Sequence, residues 1–172
     1  MKDILTVMAQ RKSVRHFQPE EVPNELLDTA LHAAMAAPSA KNQQVWEFIV
    51  LRDRALLDAL AAQLPYAKML AQASVAVAVC GDTSKNSGEA ALNWVADCAA
   101  AAENFLLAIE ALGLGAVWTA AFPYADRTGA VCRTLNLPAH IVPLCVIPVG
   151  YPAKDEPVKD KWRPEKIHYN QW

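Results

Sequence analysis

Three cations and a hydroxyl fall within five residues near the N-terminus, in Arg11-Lys12-Ser13-Val14-Arg15. In an extended segment, alternation sends Arg11, Ser13 and Arg15 to the same side. Guanidinium forks and a hydroxyl so arranged suit a phosphate dianion. The same residues also fit a solvated helix end whose cations face the C-terminal dipole. A second basic segment, Lys159-Asp160-Lys161-Trp162-Arg163-Pro164, lies near the other end of the chain. Lys161 and Arg163 are two apart in a stretch too rich in proline to be helical, so both can point one way, toward a shared anion or into solvent. Between the two runs Ala37-Pro38-Ser39-Ala40-Lys41-Asn42-Gln43-Gln44-Val45-Trp46-Glu47-Phe48. Its amides and hydroxyls can hydrogen-bond the edge of a heteroaromatic ring without adding a competing charge. They equally suit an ordinary connecting loop.

The elements that must position these groups follow from periodicity. Asp3 is placed to cap a first helix, with Ile4, Leu5 and Met8 at helical spacing, that runs into the basic box. A second helix begins near Pro23, carries Leu26, Leu27, Ala30, Leu31, Ala34 and Met35 on one face, and ends before Pro38. Residues 46–51 predict a strand, 53–63 a helix interrupted at Pro65, and 74–80 a strand buried on both faces. Residues 89–112 predict a long alanine-rich helix, deep in the core or at a subunit interface, punctuated by Gly113 and Gly115. A short strand over 116–119, a helix over 124–135 and a strand over 141–149 complete the pattern. Pro143 and Pro148 place that last strand at an edge or make it irregular. Residues 151–172 lack periodicity, yet end in Ile167, His168, Tyr169 and Trp172, which reads as an extended arm wrapped over some surface.

The composition bounds what such a chain can be. Its 172 residues, 53% hydrophobic and 20% charged, fit one domain over 1–172 with a real core. A net charge of -2 and the lack of a long basic run argue against nucleic acid and an anionic membrane surface as partners. The N-terminal residues do not resemble a signal peptide, and the apolar windows at 73–80 and 99–109 are too short or too interrupted to span a bilayer. A cytoplasmic protein is expected. Cys80, Cys98, Cys132 and Cys145 form no CxxC pair and no zinc spacing, so buried free thiols are expected. His16, His32, His140 and His168 share no metal-ligand spacing, and no metal is expected. Gly113-x-Gly115 follows a helix and lacks a third glycine, so it is no dinucleotide fingerprint. Ser39 has no evident histidine or aspartate partner that would make it a nucleophile. Trp94 and Trp118 read as core or interface residues.

Taken in order, these segments resemble the nitroreductase family. The likeness rests on R-x-S-x-R after a short helix, then P-S-x-x-N-x-Q-x-W-x-F over 38–48. It continues in the strand pair, the alanine-rich helix ending Gly113-Leu114-Gly115-Ala116-Val117-Trp118, the Leu137-Pro138-x-x-x-x-Pro143 approach to the last strand, and the basic tail. The resemblance implies an α+β fold, a central mixed and largely antiparallel sheet flanked by helices. It also implies a homodimer in which the C-terminal arm of 151–172 is exchanged.

It implies FMN as cofactor and NAD(P)H as a transient donor, with hydride passing through flavin N5 to a small acceptor such as a nitroaromatic or quinone. No side chain is implied as catalytic, because the cofactor carries the chemistry. Carried over residue by residue, Arg11, Ser13 and Arg15 would hold the flavin phosphate and ribityl chain, and Lys12 would contribute through its backbone. Lys161 and Arg163, the latter the better match, would join them at the phosphate. Pro38, Ser39, Ala40 and Asn42 would reach the flavin of the partner subunit. Lys68 would set a cation near the pyrimidine edge, where charge gathers on reduction; by itself it also reads as an exposed lysine on a helical turn. Thr119 and Ala120 match the loop beside N5, where backbone N–H groups matter. The chain departs from longer members in that residues 81–88 hold no large lid insertion. Alternatives are a flavin-sequestering or regulatory module without turnover, and a specialised flavin reaction such as reductive dehalogenation.

Overall fold

The computed structural model describes residues 3–172; Met1 and Lys2, which head the polar N-terminal stretch, lie outside the described residues. Asp3 caps α1 (Ile4–Gln10), its carboxylate accepting from Thr6 N–H at 3.1 Å. Val7 is the buried residue of this helix, whereas Ile4, Leu5 and Met8 stay more than half exposed. Helix α2 (Asn24–Met35) starts after Pro23 and stops before Pro38, with Leu27, Ala30 and Ala34 buried. Next come β1 (Trp46–Leu51) and α3 (Arg54–Gln63), the latter capped by Asp53 accepting from Ala55 N–H at 2.8 Å. The Asp3 cap is the expected one, and β1 and α3 match the expected 46–51 and 53–63 to within a residue.

Strand β2 (Val75–Asp82) is buried on both faces, and its alternation explains how. Val75, Val77 and Val79 join the core made with α2 and α4 (Asn93–Ala111). Ala76, Ala78 and Cys80 join a second core with α3 and α5 (Ala125–Leu135). The result is a sheet between two helical layers. Helix α4 begins later than the expected residue 89, because Gly88–Ala90 forms a separate 3-10 turn and Gly88 sits at φ +58°. Among the described residues no helix is long and apolar enough to cross a membrane.

The sheet order is β1-β2-β5-β3, where β5 is Ile141–Gly150 and β3 is Gly115–Ala116; β4 (Thr119–Ala120) also pairs with β5. All these pairings are antiparallel, and an isolated parallel bridge joins Ser13 to Ala116. The strand expected over 116–119 is therefore two short ones interrupted at Val117–Trp118. Strand β5 lies not at an edge but in the centre, and its irregularity absorbs both prolines. Pro148 falls opposite the gap between β3 and β4, where no ladder donor is needed, since Ala116 pairs with Val149 and Thr119 with Val146. Near Pro143 the register slips by one residue between Val79 and Cys80. Leu144 falls in the slip and accepts from Ala121 and Phe122 N–H, at 3.0 and 3.1 Å. The four thiols are free; Cys80, Cys98 and Cys145 are buried and Cys132 is half-buried.

Candidate functional site

The basic box is held as an extended segment along the β3 edge. Val14 N–H donates to Ala116 O at 2.9 Å, and Gln18 N–H to Tyr151 O at 2.9 Å. Val14 and Phe17 are buried, and each presses on a glycine of the sheet: a Cβ on Gly115 would lie 2.7 Å from Val14 and one on Gly150 2.9 Å from Phe17. Anchoring Val14 inward leaves its neighbours facing outward. Arg11, Lys12, Ser13 and Arg15 then line a cavity of about 240 Å³ together with Glu156, Pro157, Lys159 and Lys161. Residues from both ends of the chain thus meet, with five cations against one carboxylate. Arg163 does not line this cavity; its guanidinium donates to Trp162 O at 2.8 Å.

Polar contacts to acidic side chains hold several of these groups. Arg11 Nε lies 3.4 Å from Glu103 of α4, Lys12 Nζ 3.2 Å from Asp155, and His16 Nδ1 3.3 Å from Glu156. The last two tie the start of the C-terminal arm to the box, alongside an Ala153 N–H bond to His16 O at 2.9 Å. Beyond residue 156 the arm is exposed throughout, including Trp162, Tyr169 and Trp172.

Arg15 also lines a second, smaller cavity of about 170 Å³, with Pro65, Tyr66, Val117, Trp118, Thr119, Ala120 and Arg127. Its floor is set by Thr119, whose hydroxyl donates to Val146 O. Lys68 is exposed and does not line this cavity. Arg127, which sequence reasoning missed, does; nothing in its helical context marks it.

The loop with Pro38, Ser39, Ala40 and Asn42 lies elsewhere, lining neither cavity. Its shape is nevertheless tightly specified. Lys41, Asn42 and Gln44 all have positive φ, an unusual density for residues other than glycine. Ser39 Oγ accepts from Gln44 N–H at 2.9 Å, and Asp97 Oδ1 of α4 accepts from Ala40 N–H at 3.0 Å. Asp97 is buried, and its other oxygen has no partner among the described residues. An acid set among the apolar residues Trp94, Val95, Ala96, Cys98 and Ala99 was the signal by which Asp97 could have been found.

The nitroreductase family model matches residues 8–65 and 58–151. The chain belongs to the nitroreductase family. A Methanothermobacter thermautotrophicus protein, provisionally named NADH dehydrogenase/NAD(P)H nitroreductase, is 42% identical over 99% of this chain and 88% of its own. A solved structure from Bacteroides thetaiotaomicron under the same provisional name shares 51% identity at a TM-score of 0.95, covering 100% of this chain and 99% of that one. An FMN-dependent nitroreductase of Clostridium difficile superposes at 0.90 with 27% identity, covering 98% and 99%.

Proposed function

We propose that this nitroreductase-family chain is an FMN-dependent oxidoreductase that takes hydride from NAD(P)H and passes electrons to a small nitroaromatic, quinone or similar acceptor. The observation that supports this reading is the meeting of Arg11, Ser13, Arg15 and Lys161 at one cavity, which Arg15 joins to the cavity floored by Thr119 and Ala120. That donor set fits a phosphomonoester on a ring-bearing ligand, and the FMN dependence named for the Clostridium difficile relative agrees with it. When bound, FMN supplies acceptance of hydride and its delivery as two electrons. The chain's own part is to bind and orient. Arg11, Lys12, Ser13, Arg15 and Lys161 would hold the phosphate end, while Thr119 and Ala120 would support the ring.

The dimer belongs to the same reading. Pro38, Ser39, Ala40 and Asn42 would complete the partner subunit's site. The exposed Ile4, Leu5, Met8, Leu92, Trp162 and Trp172 support it, since a partner subunit would cover such side chains. A cytoplasmic location fits the free thiols.

The test is direct. Flavin released from the purified or reconstituted protein should be FMN by mass. NADH or NADPH should bleach the bound flavin anaerobically, and a nitroaromatic should restore its colour over many turnovers. FAD, or no flavin, defeats the proposal; bleaching without turnover favours a sequestering role.

A further inference from the structure

Arg127 is the charged side chain at the smaller cavity that the site as described leaves without a task. It sits in the first turn of α5 and lines the cavity opposite no acid: Arg15, Tyr66, Trp118, Thr119 and Ala120 surround it there. Its guanidinium carbon lies 3.8 Å from the centre of the Tyr124 ring, which fixes the head group. Its Nε is buried with no hydrogen-bond partner, and neither Arg127 nor Arg15 pairs with a carboxylate among the described residues. Two guanidiniums without a carboxylate partner thus line one cavity of about 170 Å³, a setting that suits an anion.

We propose that Arg127 is a further cofactor-binding residue, which holds the negative charge that a flavin ring gains on reduction. The inference rests on the proposed FMN reading. The oxidised ring is neutral; taking a hydride from NAD(P)H adds two electrons and one proton, leaving one net negative charge as NAD(P)+ departs. A cation fixed at the cavity binds that reduced form more tightly than the oxidised form, and so raises the reduction potential. Lys68, exposed and outside the cavity, is less suited to this.

The experiment measures the FMN midpoint potential and the Kd for oxidised FMN in the full chain, for wild type and for Arg127→Gln, Arg127→Met and Arg127→Lys. Met keeps an apolar stem against Tyr124 should Gln fold poorly. The neutral variants should bind reduced FMN about tenfold more weakly relative to oxidised FMN, a fall of about 30 mV for a two-electron couple, with the oxidised Kd changed less than about threefold. Lys should retain most of the wild-type potential. An unchanged potential in both neutral variants overturns the role of Arg127 while leaving the FMN reading intact. Equal weakening of both oxidation states also overturns it, showing a purely packing role. A wild-type protein that takes up no FMN overturns both.

Discussion

Lys161 and Arg163 are separated by one residue, yet they meet different neighbours. Lys161 lines the cavity with Arg11, Ser13 and Arg15, whereas Arg163 turns to the Trp162 carbonyl. Lys161→Ala and Arg11→Ala should each weaken FMN binding by about 1.5–3 kcal/mol, the range for hydrogen bonds to charged groups. Arg163→Ala should cost less. Titration followed by flavin fluorescence separates the three, and an Arg163→Ala loss equal to that of Lys161→Ala would show the arm seated differently. The basic character of both segments was readable from residue types and spacing. The preference between Lys161 and Arg163 was not, because it depends on the local turn of a segment with no periodicity. Arg127 was invisible for a related reason: an arginine in a helix is unremarkable until its surroundings are known to hold no acid.

At the scale of elements, the basic box works because it is pinned to the sheet. Gly115 reads in the sequence as a helix stop, but Gly113, at φ +77°, does that work, while Gly115 makes room for Val14. Strand β3 is held by its pairing with Gly150 of β5, so a methyl on Gly115 must displace Val14 and the box with it. Gly115→Ala should therefore destabilise by about 1–3 kcal/mol, the usual cost of overpacking, and should also weaken FMN binding. Gly129→Ala is the contrast. There the added Cβ meets the flexible end of Arg133 at 3.1 Å, so gaining up to about 1 kcal/mol of helix propensity should dominate. Thermal unfolding and flavin titration of both variants read this out; equal effects would show that Val14 is not what positions the box. The prolines of β5 teach a similar lesson. Proline in a strand restricts where ladder donors are needed, and a central strand met that restriction with a gap on one side and a register slip on the other.

For the whole molecule, the two-sided core makes the thiols reporters of folding. Burial pushes Cys80 and Cys98 up to about 12, and raises Cys145 as well. Cys98 Sγ also donates to Cys80 O at 3.3 Å. A thiol kept neutral in the folded state but ionising near 9 when unfolded stabilises fully below that pH, and its contribution falls as pH rises toward 12. Each such thiol contributes a slope of at most about 1.4 kcal/mol per pH unit in that window. Urea unfolding at pH 8 to 11 should show a decline that is shallower in Cys80→Ala; an identical decline would mean that Cys80 ionises freely in the folded protein. The arm offers a second test at this scale. Deleting 160–172 removes Lys161, Arg163 and the exposed Trp162, Tyr169 and Trp172 together. It should lower both FMN affinity and dimer content in light scattering, because dimerisation and cofactor binding are linked if sites are shared. A full-length monomer that binds FMN tightly would refute the shared site.

The sequence alone determined what short-range chemistry controls: the Asp3 cap, the stop before Pro38, the strand at Trp46–Leu51 and the two-faced burial of β2. Hydrogen-bond geometry and period are local, so local residues suffice to read them. The cation-rich box and tail were legible for the same reason, and the ordered motifs carried the family. Tertiary structure decided everything that joins distant segments. It brought residues 11–15 beside 156–161, set β5 at the centre of the sheet, made Asp97 the acceptor for Ala40 N–H, and opened one cavity to both Arg15 and Arg127. Such meetings depend on how whole elements pack, and no pattern within either segment encodes its neighbour.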